Sequence, residues 1–229
     1  MEYKNTVRGR FIDRPNRFIA HVDVGGERLV CHVKNTGRCR ELLIPGAVVA
    51  LCPAQSPARK TAWDIIAVEK AGRWINIDSQ APNLAAAAFL PTLFPGAEIQ
   101  PEYKIGQSRL DFFIKTGEDC VYLEVKGVTL EENGVVLFPD APTQRGTKHV
   151  HTLTRLAQEG HRACILFVIQ MKDVVYFTPN RRTDPDFAAA LEEAVAAGVE
   201  LLAMDCRVTD CSMIIDGPVE VRLFTDKAE

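Results

Sequence analysis

Asp111, Glu124 and Lys126 form the grouping in this chain with the clearest chemical potential. They lie in two apolar runs, Ser108-Arg109-Leu110-Asp111-Phe112-Phe113-Ile114 and Val121-Tyr122-Leu123-Glu124-Val125-Lys126-Gly127, separated by the polar break Thr116-Gly117-Glu118-Asp119. The runs read as antiparallel strands, and the glycine-containing break reads as a four-residue turn. With Lys115 opposite Cys120, counting sets Phe113 opposite Tyr122 and Asp111 opposite Glu124. Two carboxylates so paired have Cβ atoms about 5 Å apart and destabilise a hairpin unless something compensates. A divalent cation does so, and alternation puts Lys126 on the face of Glu124. Two hard oxygen ligands and a nearby ammonium are what metal-assisted hydrolysis of a phosphodiester requires. The competing reading is a charged outer sheet face, where Glu-x-Lys is common and surface ion pairs contribute little. Leu110, Phe112, Ile114, Leu123, Val125 and Val128 argue instead for a buried hairpin, and buried acids need partners.

Other residues cluster around this pattern. Glu102 precedes Asp111 by nine positions and can complete a metal site as a third carboxylate; the alternative is an ion pair with Lys104 or Arg109. Residues 143–151 open a helix whose free amides, together with Arg145 and Lys148, suit a phosphate, although an ordinary capped helix start gives the same pattern. Gln144 and Lys148 share one face of that helix. His149 and His151 lack the i,i+4 spacing of a zinc protease, and Cys31, His32 and Cys39 lack that of a zinc knuckle, so structural or surface roles are expected. Without a phosphate loop or a dinucleotide glycine fingerprint, nucleotide-driven chemistry is not expected.

Two groups of secondary-structure elements carry these residues. Residues 17–24, 28–34, 47–51, 63–70 and 73–77 read as five short strands, with Gly25-Gly26 and Ala71-Gly72 as tight turns. Five strands in so short a stretch suggest a small closed barrel of the oligonucleotide-binding (OB) type. An alanine-rich helix over 83–90, bounded by Pro82 and Pro91, follows at the domain junction. Beyond it come strands at 99–105, 108–128, 134–138, 163–169, 174–177 and 199–206, with helices at 143–159 and 186–197. Strands alternating with helices predict a mixed α/β sheet covered on its faces. The chain is therefore divided into residues 1–82, an OB-like barrel, and 83–229, an α/β domain. A helix-turn-helix at 187–204 is the poorer reading, because residues 199–204 suit a core strand and carry no basic side chains.

Composition sets outer bounds. With 229 residues, 47% hydrophobic and 25% charged, the chain is long enough to bury a real core. It has no apolar run near membrane-span length and no signal-peptide pattern at its start, so a cytoplasmic protein without membrane contact is expected. Seven cysteines without paired spacing fit reduced thiols. The net charge of −3 hides an asymmetry: residues 1–82 carry 13 basic against 8 acidic side chains, and the remainder 14 against 22. Arg8, Arg10, Arg14, Arg17, Arg28, Lys34, Arg38 and Arg40 can follow a phosphate backbone, or form a solvated barrel surface. Nothing fixes the oligomeric state.

Asp111 followed by Glu124-Val125-Lys126 resembles the PD-(D/E)XK nuclease signature, with Leu110 where a proline often stands. More specifically, Ser108-Arg109-Leu110-Asp111-Phe112, Leu123-Glu124-Val125-Lys126-Gly127-Val128-Thr129-Leu130, Phe138-Pro139-Asp140-Ala141-Pro142-Thr143, Arg145-Gly146-Thr147-Lys148-His149, Thr178-Pro179-Asn180, Asn35-Thr36-Gly37-Arg38-Cys39 and Leu42-Leu43-Ile44-Pro45-Gly46 resemble the sugar fermentation stimulation protein A (SfsA) family over essentially the whole chain. The resemblance implies an N-terminal OB-like barrel, a C-terminal PD-(D/E)XK nuclease-like α/β domain, and binding of nucleic acid, DNA before RNA, linked to regulation of sugar (maltose) metabolism. It implies Mg²⁺, with Mn²⁺ as a substitute, on Asp111, Glu124 and the carbonyl of Val125, while Lys126 orients water or stabilises charge and Gln144 positions Lys126 or the phosphate. Arg38, Arg40, Arg145 and Lys148 are the expected nucleic-acid contacts. Two functions follow: a metal-dependent nuclease, or a non-catalytic DNA-binding regulator that keeps the nuclease fold as a platform.

Overall fold

In the computed structural model of the chain, which describes residues 1–35, 37–54 and 59–223, the amino-terminal strands close on themselves. Strands β1 (Val7–Asp13), β2 (Ile19–Val24), β3 (Glu27–Val33), β4 (Val48–Pro53) and β5 (Trp63–Lys70) pair in the circular order β1-β2-β3-β5-β4. Only the closing pair, β3 with β5, is parallel. The barrel has the expected five-stranded OB-type closure, but with a different membership. Strand β1 is absent from the sequence-based set, because Arg8 and Arg10 interrupt its apolar pattern; it forms because Gly9 and Phe11 alternate inward, the period of two that a strand needs. Strand β6 (Arg73–Asn76), expected as a barrel strand, pairs only with β5. Of the motif at 35–39, Thr36 lies outside the described residues.

Helix α1 (Ala81–Leu93) contains both prolines expected to bound it. Pro82 lies in the first turn, where its missing N–H has no partner to lose. Near the other end the helix runs on through Pro91, with Ala81, Ala85, Ala86 and Leu90 buried against the sheet. Then follow β7 (Glu98–Ile105), β8 (Ser108–Thr116), β9 (Asp119–Val128), β10 (Leu130–Glu132), β11 (Val135–Phe138) and α2 (Gln144–Gln158). The chain continues through β12 (Arg162–Ile169), β13 (Tyr176–Pro179), α3 (Pro185–Ala196), β14 (Glu200–Val208), β15 (Met213–Pro218) and β16 (Glu220–Val221). Helix α3 is followed by a strand, so the helix-turn-helix is absent at that position.

The large sheet has the order β15-β14-β12-β9-β8-β7, parallel through β9, β12 and β14 and antiparallel outside them. Central β12 is buried on both faces: Cys164, Leu166 and Val168 pack with α1, and Ile165, Phe167 and Ile169 with α2 and α3. A strand between two helical layers reads as a continuous apolar run, as this one does. A smaller sheet, β10-β11-β13-β16, flanks it.

Polar contacts join barrel to sheet. Gln170 Nε2 donates to Asn76 O at 3.0 Å, Asn76 Oδ1 at 3.1 Å and Asp78 O at 3.2 Å, and Glu131 holds Lys70 and Arg73. All seven cysteines are free thiols. Among the described residues no helix is long and apolar enough to cross a membrane.

Candidate metal centre and its basic rim

The hairpin of β8 and β9 keeps the expected register, Phe113 with Tyr122 and Lys115 with Cys120. Its turn is shorter than expected: Thr116 pairs with Asp119, leaving Gly117 at φ 61° and Glu118 as the two loop residues. The other end differs more. The ladder stops at Phe112 with Leu123, so Asp111 and Glu124 are not a cross-strand pair. Phe112 and Ile114 pack on the α1 side while Leu110 belongs to the opposite core, so the alternation breaks at Asp111. The break aims its carboxylate along the sheet, where Asp111 Oδ2 accepts the Val125 N–H at 2.8 Å and Oδ1 accepts from Asn83 Nδ2 of α1 at 2.7 Å. Helix α1 thus takes part in the site.

Glu124 points to the other face, 3% exposed. Its Oε1 accepts from Lys126 Nζ at 2.6 Å and from His149 Nδ1 of α2, whereas Oε2 is buried with no hydrogen-bond partner. Burial alone pushes the Glu124 carboxyl up, but the His149 hydrogen bond and the Lys126 charge outweigh it and hold the group below its usual range. Asp111 moves the other way: burial and then the Glu124 charge raise it, against the bonds from Val125 and Asn83. Two neighbouring acids pushed apart in proton affinity are a mark of functional sites. Gly127, next to Lys126, has no room for a side chain: a Cβ there lies 2.5 Å from Gln170 Oε1 and 2.6 Å from Pro82 Cγ.

Of the residues singled out in the sequence, the fold brings Asp111, Glu124 and Lys126 together. Glu102 is spent elsewhere, on an exposed ion pair with Arg109 at 3.1 Å; its backbone takes a left-handed turn (φ 55°) between Pro101 and Tyr103. Gln144 is exposed as the first residue of α2 and lines a hollow of about 460 Å³ with Lys148, without a bond to Lys126. Arg145 and Lys148 line a second hollow, about 360 Å³, with Arg109 and His149. Arg38 and Arg40 line a third of about 410 Å³ with Arg14, Arg17 and Ala141, the last on the approach to α2. Arg38, Arg40, Arg145 and Lys148 are exposed, and among the described residues none of their side chains has an acidic partner. His149 and Asn83 are site residues that sequence reasoning misses. Sequence carries little signal for them, since helical spacing alone does not say which acid a helix residue will meet.

These residues fit a divalent cation. The partnerless Glu124 Oε2 is a buried acceptor that only a cation, water or unseen donor can satisfy, and Asp111 supplies the second carboxylate. No cluster of three or more His, Cys, Asp or Glu side chains able to hold a metal occurs among the described residues. Two carboxylates completed by waters suit a hard divalent cation, which need not be caged by protein alone.

Comparison with known proteins agrees with the two-part architecture. Residues 12–77 match the SfsA N-terminal OB domain, and residues 80–212 match the sugar fermentation stimulation protein RE domain. A sugar fermentation stimulation protein homolog of Ruminiclostridium cellulolyticum is 51% identical over 226 residues, covering 97% of this chain and all of the relative. That of Clostridium beijerinckii is 47% identical at the same coverage. Among solved structures, Pyrococcus furiosus SfsA in complex with Ca²⁺ superposes with a TM-score of 0.86 at 30% identity, over 97% of this chain and 98% of that one. The chain therefore belongs to the sugar fermentation stimulation protein family, with both of its domains.

Proposed function

We propose that this protein is a divalent-metal-dependent nuclease that hydrolyses phosphodiester bonds, with DNA as its expected substrate. The observation that carries the reading is the buried, partnerless Oε2 of Glu124, an acid whose charge Asp111 feels, supported by the Ca²⁺ bound to the Pyrococcus furiosus relative. Asp111, Glu124 and the Val125 carbonyl are the ligands, and Mg²⁺ is the expected ion, with Mn²⁺ able to replace it. Bound there, the ion neutralises phosphate charge and lowers the pKa of its water. Lys126 turns from Glu124 toward the phosphate, where its ammonium orients water or stabilises developing charge. Gln144, at the mouth of the helix, faces the phosphate rather than Lys126.

The four exposed cations without acidic partners extend this reading to the substrate. Arg145 and Lys148 rim the hollow that reaches His149, and Arg38 and Arg40 rim the hollow on the barrel side of Ala141. A polyanion lying across both hollows satisfies all four, so the barrel holds the strand that the sheet cuts.

The test is a cleavage screen of single-stranded, duplex and flapped DNA, and the equivalent RNAs, with Mg²⁺ or Mn²⁺. Cleavage by the wild type that is lost in Asp111→Ala and Lys126→Ala supports the proposal. Salt-sensitive binding without cleavage of any substrate overturns it in favour of a DNA-binding regulator.

A further inference from the structure

Two donors converge on one oxygen of Glu124 while the other oxygen has none. Lys126 and His149 both bond Oε1, and all three side chains are nearly inaccessible, at 13%, 9% and 4% exposure. The donors differ in kind. Lys126 ends a flexible four-carbon stem and can leave. His149 is fixed in α2 beside buried Val150 and Leu153. Because an ionised carboxylate only accepts, the His149 Nδ1 must carry the proton it shares with Glu124.

We infer that His149 is the positioning residue of the metal centre: its Nδ1–H holds Glu124 Oε1, keeping Oε2 aimed at the cation when Lys126 departs for the substrate. The inference rests on the metal site proposed above. If Lys126 were the sole holder, each excursion toward a phosphate would free the Glu124 carboxylate to rotate, and the ligand would be lost when it is needed. A second, immobile donor on the same oxygen removes that conflict. Helix α1 serves Asp111 in the same way through Asn83, so each acid is held by the helix covering its own face of the sheet.

The experiment is calorimetric titration of Mn²⁺ alone into the full chain, comparing wild type with His149→Asn, His149→Leu and Lys126→Ala, with thermal melts as a check on folding. Asparagine and leucine have nearly the same shape, and asparagine Nδ2 can take the place of the histidine Nδ1, so of the two only asparagine restores a donor to Glu124. Losing a hydrogen-bond partner of a metal ligand typically costs about 10–100-fold in affinity, and that loss is expected for His149→Leu. His149→Asn and Lys126→Ala are expected to bind Mn²⁺ within about threefold of wild type, well below that range. Equal affinity of the leucine and asparagine variants, or an equal loss in Lys126→Ala, overturns the inference while leaving the metal site standing. If the wild type takes up no Mn²⁺, the metal site itself is wrong and the role of His149 falls with it.

Discussion

The backbone N–H of Val125 donates to Asp111 Oδ2 across 2.8 Å, at the step where a regular hairpin would set Asp111 opposite Glu124. A side-chain oxygen there replaces a ladder carbonyl. Since a buried N–H must find an acceptor, the fraying of β8 from β9 and the placement of the acid are one event. Asp111 is thereby fixed by backbone, as the metal ligand proposed above needs to be.

The two acids respond in opposite directions to loss of charge. Burial and the charge of Glu124 raise the Asp111 carboxyl, so the folded state holds its proton more tightly than the unfolded chain does, and stability falls as pH rises from the ordinary aspartate value through the raised one. Asp111→Asn removes that cost and, with the Asn83 amide turned so that its Oδ1 accepts from the new Nδ2, is expected to stabilise the metal-free protein at neutral pH by about 1 kcal/mol, as relief of a functional site commonly does. The gain vanishes in acid. Glu124 is held low despite burial, so its contribution is complete above the ordinary glutamate value and is lost as pH falls through the lowered one. Glu124→Gln costs about 2 kcal/mol at neutral pH, because two charge-assisted hydrogen bonds are weakened. Urea melts of both variants from pH 4 to 8 check both signs.

Metal binding at the proposed site is expected to stabilise the fold by mass action. At Mn²⁺ one hundred times its dissociation constant, the expected gain for the wild type is about 2.7 kcal/mol, visible as a rise in Tm that EDTA reverses. Asp111→Ala shows no such rise, and an equal rise in that variant would place the ion elsewhere.

If the protein binds nucleic acid as proposed, neutralising the rim is expected to reduce the salt dependence of that binding. Each cation withdrawn from a phosphate lowers the slope of log affinity against log salt by about 0.9 for duplex or about 0.7 for single strands. Arg38→Ala with Arg40→Ala tests the barrel side, and Arg145→Ala with Lys148→Ala the sheet side. An unchanged slope in either pair removes that side from the interface.

Barrel and sheet unfold together. Gln170→Ala strips three hydrogen bonds from Asn76 and Asp78, although Asn76 Oδ1 keeps the Asp78 N–H and the Asp78 carbonyl keeps the Ala81 N–H, so the expected loss is about 1 kcal/mol. A single cooperative melt at lower temperature is expected; two separated transitions would show that the coupling runs through Gln170 and that the ion pairs of Glu131 with Lys70 and Arg73 do not suffice.

The barrel-plus-α/β division, the Phe113–Tyr122 register, the turns at Gly25-Gly26 and Ala71-Gly72, and the trio Asp111, Glu124 and Lys126 are all legible in the order of residues. Each is short-range: alternation, turn chemistry and counting across one hairpin need no distant residue. What depends on separate elements meeting is settled only by packing. Packing opened the ladder at Asp111 and drew β1 into the barrel against its interrupted pattern. It also brought Asn83 and His149, 28 and 25 residues from the acids they serve, into the site from opposite faces of the sheet. Helical periodicity tells which side of a helix is buried, but not which buried carboxylate lies beneath it; that follows only when the sheet and both helices pack.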